Sequence, residues 1–126
     1  MKTAEAAHID ETGWRENSCR VWLWVVVTSV GIVFRLARSR AGAVAAELLG
    51  EEPKPIAISD RFPGYEWIKP QSRQVCWAHL RRDFQAMIDR DGDGAEVGRQ
   101  LLWQSNKLFE SWHKVRDGTI QWSTFL

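Results

Sequence analysis

Residues 20–28 read RVWLWVVVT and consist almost entirely of β-branched and aromatic residues, a composition typical of a β-strand. Apolar residues fill every position from 21 to 27, without the alternation of a half-buried strand. We therefore expect both faces of this strand to be buried. The run is far too short to span a bilayer, so it predicts a central strand of a soluble sheet.

Two further segments with the pattern of short strands flank this strand. Residues 8–14 precede it across the turn Glu16-Asn17-Ser18, and residues 32–36 follow it after Ser29-Val30-Gly31. Three strands joined by two tight turns predict an antiparallel meander.

The hydrophobic period then changes to that of a helix. Residues 41–49 place apolar side chains on one face, with Ser39 as the expected N-cap and Gly50 at the end. Residues 56–59 form a short apolar strand that ends before Asp60. A strand, a helix and a strand of these lengths favour a right-handed crossover, which makes the new strand parallel to an earlier one.

The rest of the chain predicts a loop, a short strand and helices. We expect a loop over residues 61–73, a fifth strand over 74–77, a helix that the acidic turn at 91–94 interrupts, and a longer helix over 96–115. Residues 119–126 begin a new apolar pattern that stops at Phe125-Leu126. We expect a chain cut short within a larger fold, with a docked C-terminus as the alternative.

Length and composition indicate one soluble domain. The chain has 126 residues, of which 44% are hydrophobic, and its formal net charge is +1. This charge creates no global field that attracts nucleic acid or membranes. The N-terminus has no apolar segment typical of a signal peptide, and Cys19 and Cys76 form no close pair. We expect a cytoplasmic protein with reduced thiols and no membrane contact.

A modest basic excess lies in the middle of the chain. Residues 61–90 contain six basic and three acidic side chains, and Trp67 lies beside Lys69 and Arg73 in the predicted loop. A solvated surface explains the charge best when it is considered alone. The candidates for contact with nucleic acid are Arg61, Trp67, Lys69, Arg73, Arg81 and Arg82.

Asp10 in the first strand and Asp60 after the fourth are candidate metal ligands. If these strands are parallel neighbours, the two carboxylates meet at one edge of the sheet. Carboxylates held in this way bind Mg²⁺ ions that activate a nucleophile at a phosphodiester. Spacing alone leaves two solvated aspartates as the alternative.

Two other patterns suggest metal binding. Residues 89–94 read DRDGDG, which matches the beginning of an EF-hand loop, but Gln100 replaces the bidentate glutamate. We therefore expect an acidic turn between helices and no tight calcium binding. Cys76 and His79 have a zinc-like spacing without a second pair, so a buried structural cysteine is the better interpretation.

Three motifs together resemble a known family. The motif HIDETGW at residues 8–14 is similar to the first catalytic motif of bacterial DDE transposases of the insertion sequence sixty-six family. Ser59-Asp60 with the aromatic loop ending at Tyr65 resembles the second motif, and CWAHLRRDF at 76–84 resembles the segment that follows it. These ordered matches cover residues 8–84.

The resemblance implies an α/β fold with a ribonuclease H-like mixed sheet, of which this chain holds an incomplete part. Residues 1–90 are the expected partial core and residues 91–126 the expected start of a helical insertion. Asp10 and Asp60 would be the first two catalytic, metal-binding acids. The third acid of the family is a glutamate in an Asn-Asn-x-x-Glu motif, and the sequence contains no Asn-Asn pair.

The resemblance also implies a function. The complete enzyme is expected to use Mg²⁺ or Mn²⁺ to cleave DNA and transfer strands, with transposon ends and target DNA as partners. This chain lacks the third acid, so we expect it to be inactive alone and to bind DNA weakly. The alternatives are a non-catalytic truncated remnant and an acidic-turn metal-binding module.

Overall fold

The computed structural model describes residues 4–125. The protein consists of two compact units. The strand unit, Met1–Cys76, contains a five-stranded sheet and one helix. The helical unit is Trp77–Leu126. The strands are β1 Ala6–Glu16, β2 Cys19–Thr28, β3 Gly31–Ala37, β4 Ile56–Ser59 and β5 Arg73–Val75, and the helices are α1 Gly42–Leu49, α2 Trp77–Asp89, α3 Asp93–Arg116 and α4 Trp122–Phe125.

The first three strands form the predicted antiparallel meander. Asn17 and Ser18 connect β1 to β2 with positive φ angles of 46° and 65°. Two successive residues of this kind form the tight hairpin turn whose twist matches that of the flanking strands. Because the turn is so short, pairing continues to Glu16 and Cys19, and β1 is longer than predicted.

The predicted crossover is also present. After α1, strand β4 lies parallel to β1, with Ala6 beside Ile56, Ala7 beside Ala57 and His8 beside Ile58. Strand β5 is parallel to β4, and the sheet order is β3-β2-β1-β4-β5.

The core of the strand unit lies on one face of this sheet. The buried residues in the strands include Ala7, Ile9, Trp24 and Val26, and they cluster with Val44 and other residues of α1. The prediction that both faces of residues 21–27 are buried is wrong. Alternate residues of β2 are only half-buried, and Val27 is exposed, because the pleat directs successive side chains to opposite faces.

Two predicted boundaries also differ. Helix α1 begins at Gly42, and Ser39 does not cap it: its hydroxyl accepts a hydrogen bond from the Ala41 amide, 3.0 Å away, before the helix begins. Strand β5 ends at Val75 and not at Trp77. Trp77 instead begins α2, where its ring meets Phe109 edge-on at 5.6 Å between centroids.

The helical unit is built on the pair α2 and α3. Gly98 is buried where the helices meet, and a Cβ placed there would lie 2.7 Å from the Phe84 carbonyl oxygen. Absence of a side chain at this position therefore permits close approach of the two backbones. The apolar pattern after residue 119 forms α4, in which Trp122 contacts the ring of Trp112.

Candidate metal-binding site

Asp10 lies within β1, and Asp60 directly follows the neighbouring parallel strand β4. The paired register ends at His8 and Ile58, each two residues before one of the aspartates. Because side chains alternate along a strand, Asp10 projects from the face opposite to buried Ile9. Asp10 is exposed and Asp60 is half-buried.

Local hydrogen bonds orient both aspartates. One carboxylate oxygen of Asp10 accepts a bond from the Glu11 amide at 3.0 Å. The Asp60 carboxylate accepts one from the Phe62 amide at 2.8 Å, which closes a tight turn after β4. The guanidinium of Arg73 donates to the Asp60 carbonyl oxygen at 2.9 Å. Asp60 is thus fixed through its side chain and its main chain.

Glu11 is a buried charge on the core face, directly after Asp10. Its side chain is 1% exposed, and its Oε1 atom lies 2.8 Å from the Arg40 Nε atom. Its other oxygen accepts a hydrogen bond from the Tyr65 hydroxyl. The sequence motifs indicated no separate role for Glu11. The alternation of buried Ala7 and Ile9 with exposed neighbours was the available signal, because it places Glu11 in the core.

Tyr65 is sensitive to the charges of this site. The pKa of Tyr65 is raised well above its usual range. Burial of the phenol is the largest cause, and its hydrogen bond to the Glu11 carboxylate is the second. The negative charges of Asp60 and Asp10 raise this pKa further. The phenol therefore stays protonated and donates its hydrogen bond at neutral pH.

The donor set at the sheet edge suits a hard divalent cation. Carboxylate oxygens are the ligands that Mg²⁺ and Mn²⁺ prefer, and Mg²⁺ often binds through one or two carboxylates with water as the remaining ligands. Within residues 4–125, no group of three or more His, Cys, Asp or Glu side chains has an arrangement that holds a metal ion. Two aspartates with a hydrated ion are the arrangement that fits these residues.

The calcium hypothesis does not match the observed helices. Helix α2 ends at Asp89 and α3 begins at Asp93, so three residues separate them. An EF-hand loop starting at Asp89 needs twelve residues, and most of those positions here are helical. DRDGDG is therefore an inter-helix turn with Asp91 at a positive φ of 46°.

The zinc spacing does not define a site either. The Cys76 amide donates to the Ser59 carbonyl oxygen at 2.6 Å, beside the strand sheet. Cys19 is exposed at the beginning of β2. Among the described residues 4–125, neither cysteine belongs to a cluster of three metal-binding side chains.

The candidates for nucleic-acid contact have different environments. Trp67 packs against the core of the strand unit, and the Arg73 guanidinium lies 6.0 Å from the Tyr65 ring centroid. Lys69 pairs with Glu52 at 3.3 Å on the surface. These three side chains thus make contacts within the strand unit.

The remaining three candidates lie in both units. Arg61 is an exposed residue of the strand unit, after Asp60. In the helical unit, Arg81 donates to Asn106 at 2.5 Å and lies over the Phe109 ring, whereas Arg82 is exposed. The six candidates therefore do not form one cluster within a single unit.

The strand order and crossover define the class of this protein. Three antiparallel strands, a crossover helix and a strand parallel to the first constitute a ribonuclease H-like α/β fold. The sequence matches the family model described as "Transposase IS66 family" over residues 1–121. The chain belongs to this transposase family and represents a segment of a transposase catalytic core. Transposases act on DNA, and DDE transposases generally use divalent metal ions.

Solved structures with a similar fold include two forms of the HTLV-2 integrase catalytic core domain in complex with magnesium. The trimeric form is 14% identical with a TM-score of 0.42, and the match covers 79% of this chain and 83% of that chain. The dimeric form is 14% identical with a TM-score of 0.41, covering 69% and 71%. Comparison with curated proteins found no match. Within residues 4–125, no helix is long and apolar enough to cross a membrane.

Proposed function

We propose that Asp10 and Asp60 are the first two metal-binding acids of a transposase catalytic core that cleaves DNA and transfers strands. The observation that carries this proposal is that β1 and β4 are parallel neighbours whose paired register ends at His8 and Ile58, two residues before Asp10 and Asp60. Family membership supports DNA as the substrate.

The protein contributes oriented oxygen ligands to this chemistry. A bound Mg²⁺ or Mn²⁺ ion supplies Lewis acidity at the phosphodiester and lowers the pKa of the attacking hydroxyl or water. The Phe62 amide restricts the Asp60 carboxylate, and the Glu11 amide restricts that of Asp10. Fixed carboxylates of this kind reduce the reorganisation needed at the reacting phosphate.

We also propose that this chain is inactive by itself. The two-metal route needs a further carboxylate to hold the second ion, and the sequence contains no Asn-Asn-x-x-Glu motif. Residues 1–90 would be a partial core and residues 91–126 the start of a helical insertion. We infer a cytoplasmic location. Exposed Arg61 and Arg82 would contribute DNA contacts that are weak and salt-sensitive, because the net charge is only +1.

Metal titration tests the two-aspartate site. We expect the chain to bind Mn²⁺ weakly, and Asp10→Asn or Asp60→Asn to weaken binding at least about tenfold by removing one of two anionic ligands. Electron paramagnetic resonance of free Mn²⁺ measures the affinity. Asp91→Asn is the matched control, since Asn tolerates the positive φ of this turn position. Loss of binding in Asp91→Asn alone would favour an acidic-turn metal-binding module.

A supercoiled plasmid assay tests the proposed inactivity. We expect the purified chain to leave the plasmid intact in Mg²⁺ or Mn²⁺, because the second metal ion lacks its carboxylate. Nicking by the wild-type chain that disappears in both Asp10→Ala and Asp60→Ala would contradict this prediction. Glu96 and Glu110 of α3 would then be the next acids to mutate.

A further inference from the structure

Glu11 places a carboxylate in the core of the sheet. Its side chain is 1% exposed, next in sequence to the proposed ligand Asp10. A buried carboxylate is costly unless ion pairs and hydrogen bonds compensate for lost hydration. Replacing a whole buried ion pair by well-packed apolar residues is often neutral or stabilising, so core stability alone does not explain Glu11.

Two segments from elsewhere in the chain satisfy the two oxygens of Glu11. Arg40 lies between β3 and α1, and its Nε atom is 2.8 Å from Oε1. Tyr65 lies in the short 3₁₀ turn Pro63–Tyr65 after β4, is fully buried, and donates its hydroxyl hydrogen bond to Oε2. One carboxylate thereby joins strand β1, the β3–α1 connection and the segment after β4.

Aromatic contacts extend this connection to Asp60. The Phe62 ring lies 3.8 Å below the Arg40 guanidinium and meets the Tyr65 ring edge-on at 6.0 Å. The Phe62 amide is the group that donates to the Asp60 carboxylate. A continuous set of contacts thus runs from Asp60 through Phe62, Arg40 and Tyr65 to Glu11.

We propose that Glu11, Arg40 and Tyr65 form a positioning clamp that fixes the separation and orientation of Asp10 and Asp60; this inference rests on the proposed function of the two aspartates. The clamp attaches directly after Asp10 on β1, and its other end fixes the turn that holds Asp60. Directional hydrogen bonds set a defined geometry, whereas apolar packing tolerates small shifts. Tyr65 and Glu11 act through the ligands and do not contact the metal ion.

Tyr65→Phe tests the clamp in the full chain, because it removes one hydroxyl and keeps the ring. We expect about tenfold weaker Mn²⁺ binding, the usual size of the effect when a partner that orients a metal ligand is lost. We also expect at least about tenfold faster hydrogen exchange at the Phe62 amide, since the turn opens more often. Exchange is measured without metal by nuclear magnetic resonance.

Val44→Ala is the matched control. It removes buried methyl groups from the same core and leaves the hydrogen-bonding groups of Glu11, Arg40 and Tyr65 unchanged, and we expect both readouts to stay within about twofold of wild type. Equal weakening of Mn²⁺ binding by Val44→Ala and Tyr65→Phe would reduce Tyr65 to a structural role and overturn the proposal. Wild-type affinity and exchange in Tyr65→Phe would also overturn it.

The two measurements distinguish failure of the clamp proposal from failure of the proposed metal site. If the wild-type chain binds no Mn²⁺, the proposed function fails, and Phe62 exchange alone decides on the clamp. If Tyr65→Phe does not fold, Arg40→Lys takes its place, because lysine keeps the charge but loses the planar contact with Phe62. Faster Phe62 exchange in Arg40→Lys supports the clamp, and unchanged exchange overturns it.

Discussion

The strand unit and the helical unit bury different kinds of residue. In the strand unit the largest fully buried side chains are Trp24 and Tyr65. The buried residues of α3 in the helical unit are small, namely Ala95, Gly98 and Ser105. Large side chains thus fill the interior of the strand unit, whereas close backbone approach defines the helical pair. The proposed metal site and its clamp lie entirely in the unit with the larger core.

The difference is clearest for tryptophan. Trp24 is completely buried, donates its indole N–H to the Ser39 carbonyl oxygen at 3.2 Å and meets Tyr65 edge-on. Trp103 of α3 is 61% exposed. Trp24 therefore provides core packing in the strand unit and Trp103 lies on the surface of the helical unit, and composition alone does not reveal this difference.

Removal of each indole should give the largest contrast. We expect Trp24→Ala to lower the free energy of unfolding by about 3–5 kcal/mol, through a cavity and a lost hydrogen bond. Trp103→Ala should change it by less than about 0.5 kcal/mol. Urea denaturation followed by far-ultraviolet circular dichroism measures both. Similar losses in the two variants would show that the described burial does not govern stability.

Strand periodicity and turn residues were sufficient to predict the meander and the crossover. Tight turns leave few alternative pairings, and a helix between two strands of one sheet favours a parallel arrangement. The end of β5 and the start of α2 could not be predicted, because Trp77 suits either element. Its contact with Phe109 lies 32 positions along the sequence, beyond any local pattern.

The candidate site was only partly predictable. Asp10 and Asp60 followed from motif resemblance together with the expected parallel strands, and the parallel pairing of β1 with β4 is observed. The role of Glu11 was missed, because its partners Arg40 and Tyr65 are distant in sequence. A charged residue at a core-facing strand position was the sole local clue.

Two glycines of α3 test the close packing of the helical unit. A Cβ at Gly98 would lie 2.7 Å from the Phe84 carbonyl oxygen and 2.9 Å from the Met87 Cβ, so we expect Gly98→Ala to destabilise the chain by about 1–3 kcal/mol. At Gly94 the nearest atom is 3.7 Å away, and Gly94→Ala should stabilise the helix by up to about 1 kcal/mol. Chemical denaturation measures both, and stabilisation by Gly98→Ala would contradict close backbone packing.

The smallest expected effect is a pH dependence of the free energy of unfolding. It reports on the strand unit alone, because Tyr65 is the single tyrosine of the chain. Its folded-state pKa is raised by burial and by the Glu11 carboxylate, whereas an unfolded tyrosine titrates near about 10. The stabilising contribution is therefore complete below about pH 10 and is lost as the pH rises further, by up to about 1.4 kcal/mol per pH unit. Tyr65→Phe should lack this component of the pH dependence.

Absorbance of tyrosinate near 295 nm measures this ionisation directly. We expect the signal to increase only when circular dichroism shows that the sheet unfolds, because the native phenol keeps its proton in the hydrogen bond to Glu11. Tyr65→Phe contains no tyrosine and provides the baseline for this absorbance. The free energies of unfolding of the wild type and Tyr65→Phe should converge as the pH rises above about 10. A smooth increase centred near pH 10 with an intact sheet would mean that the phenol is accessible to solvent. In that case Tyr65 would not be rigidly buried. Trp24 alone would then support the contrast between the large buried side chains of the strand unit and the small ones of the helical unit.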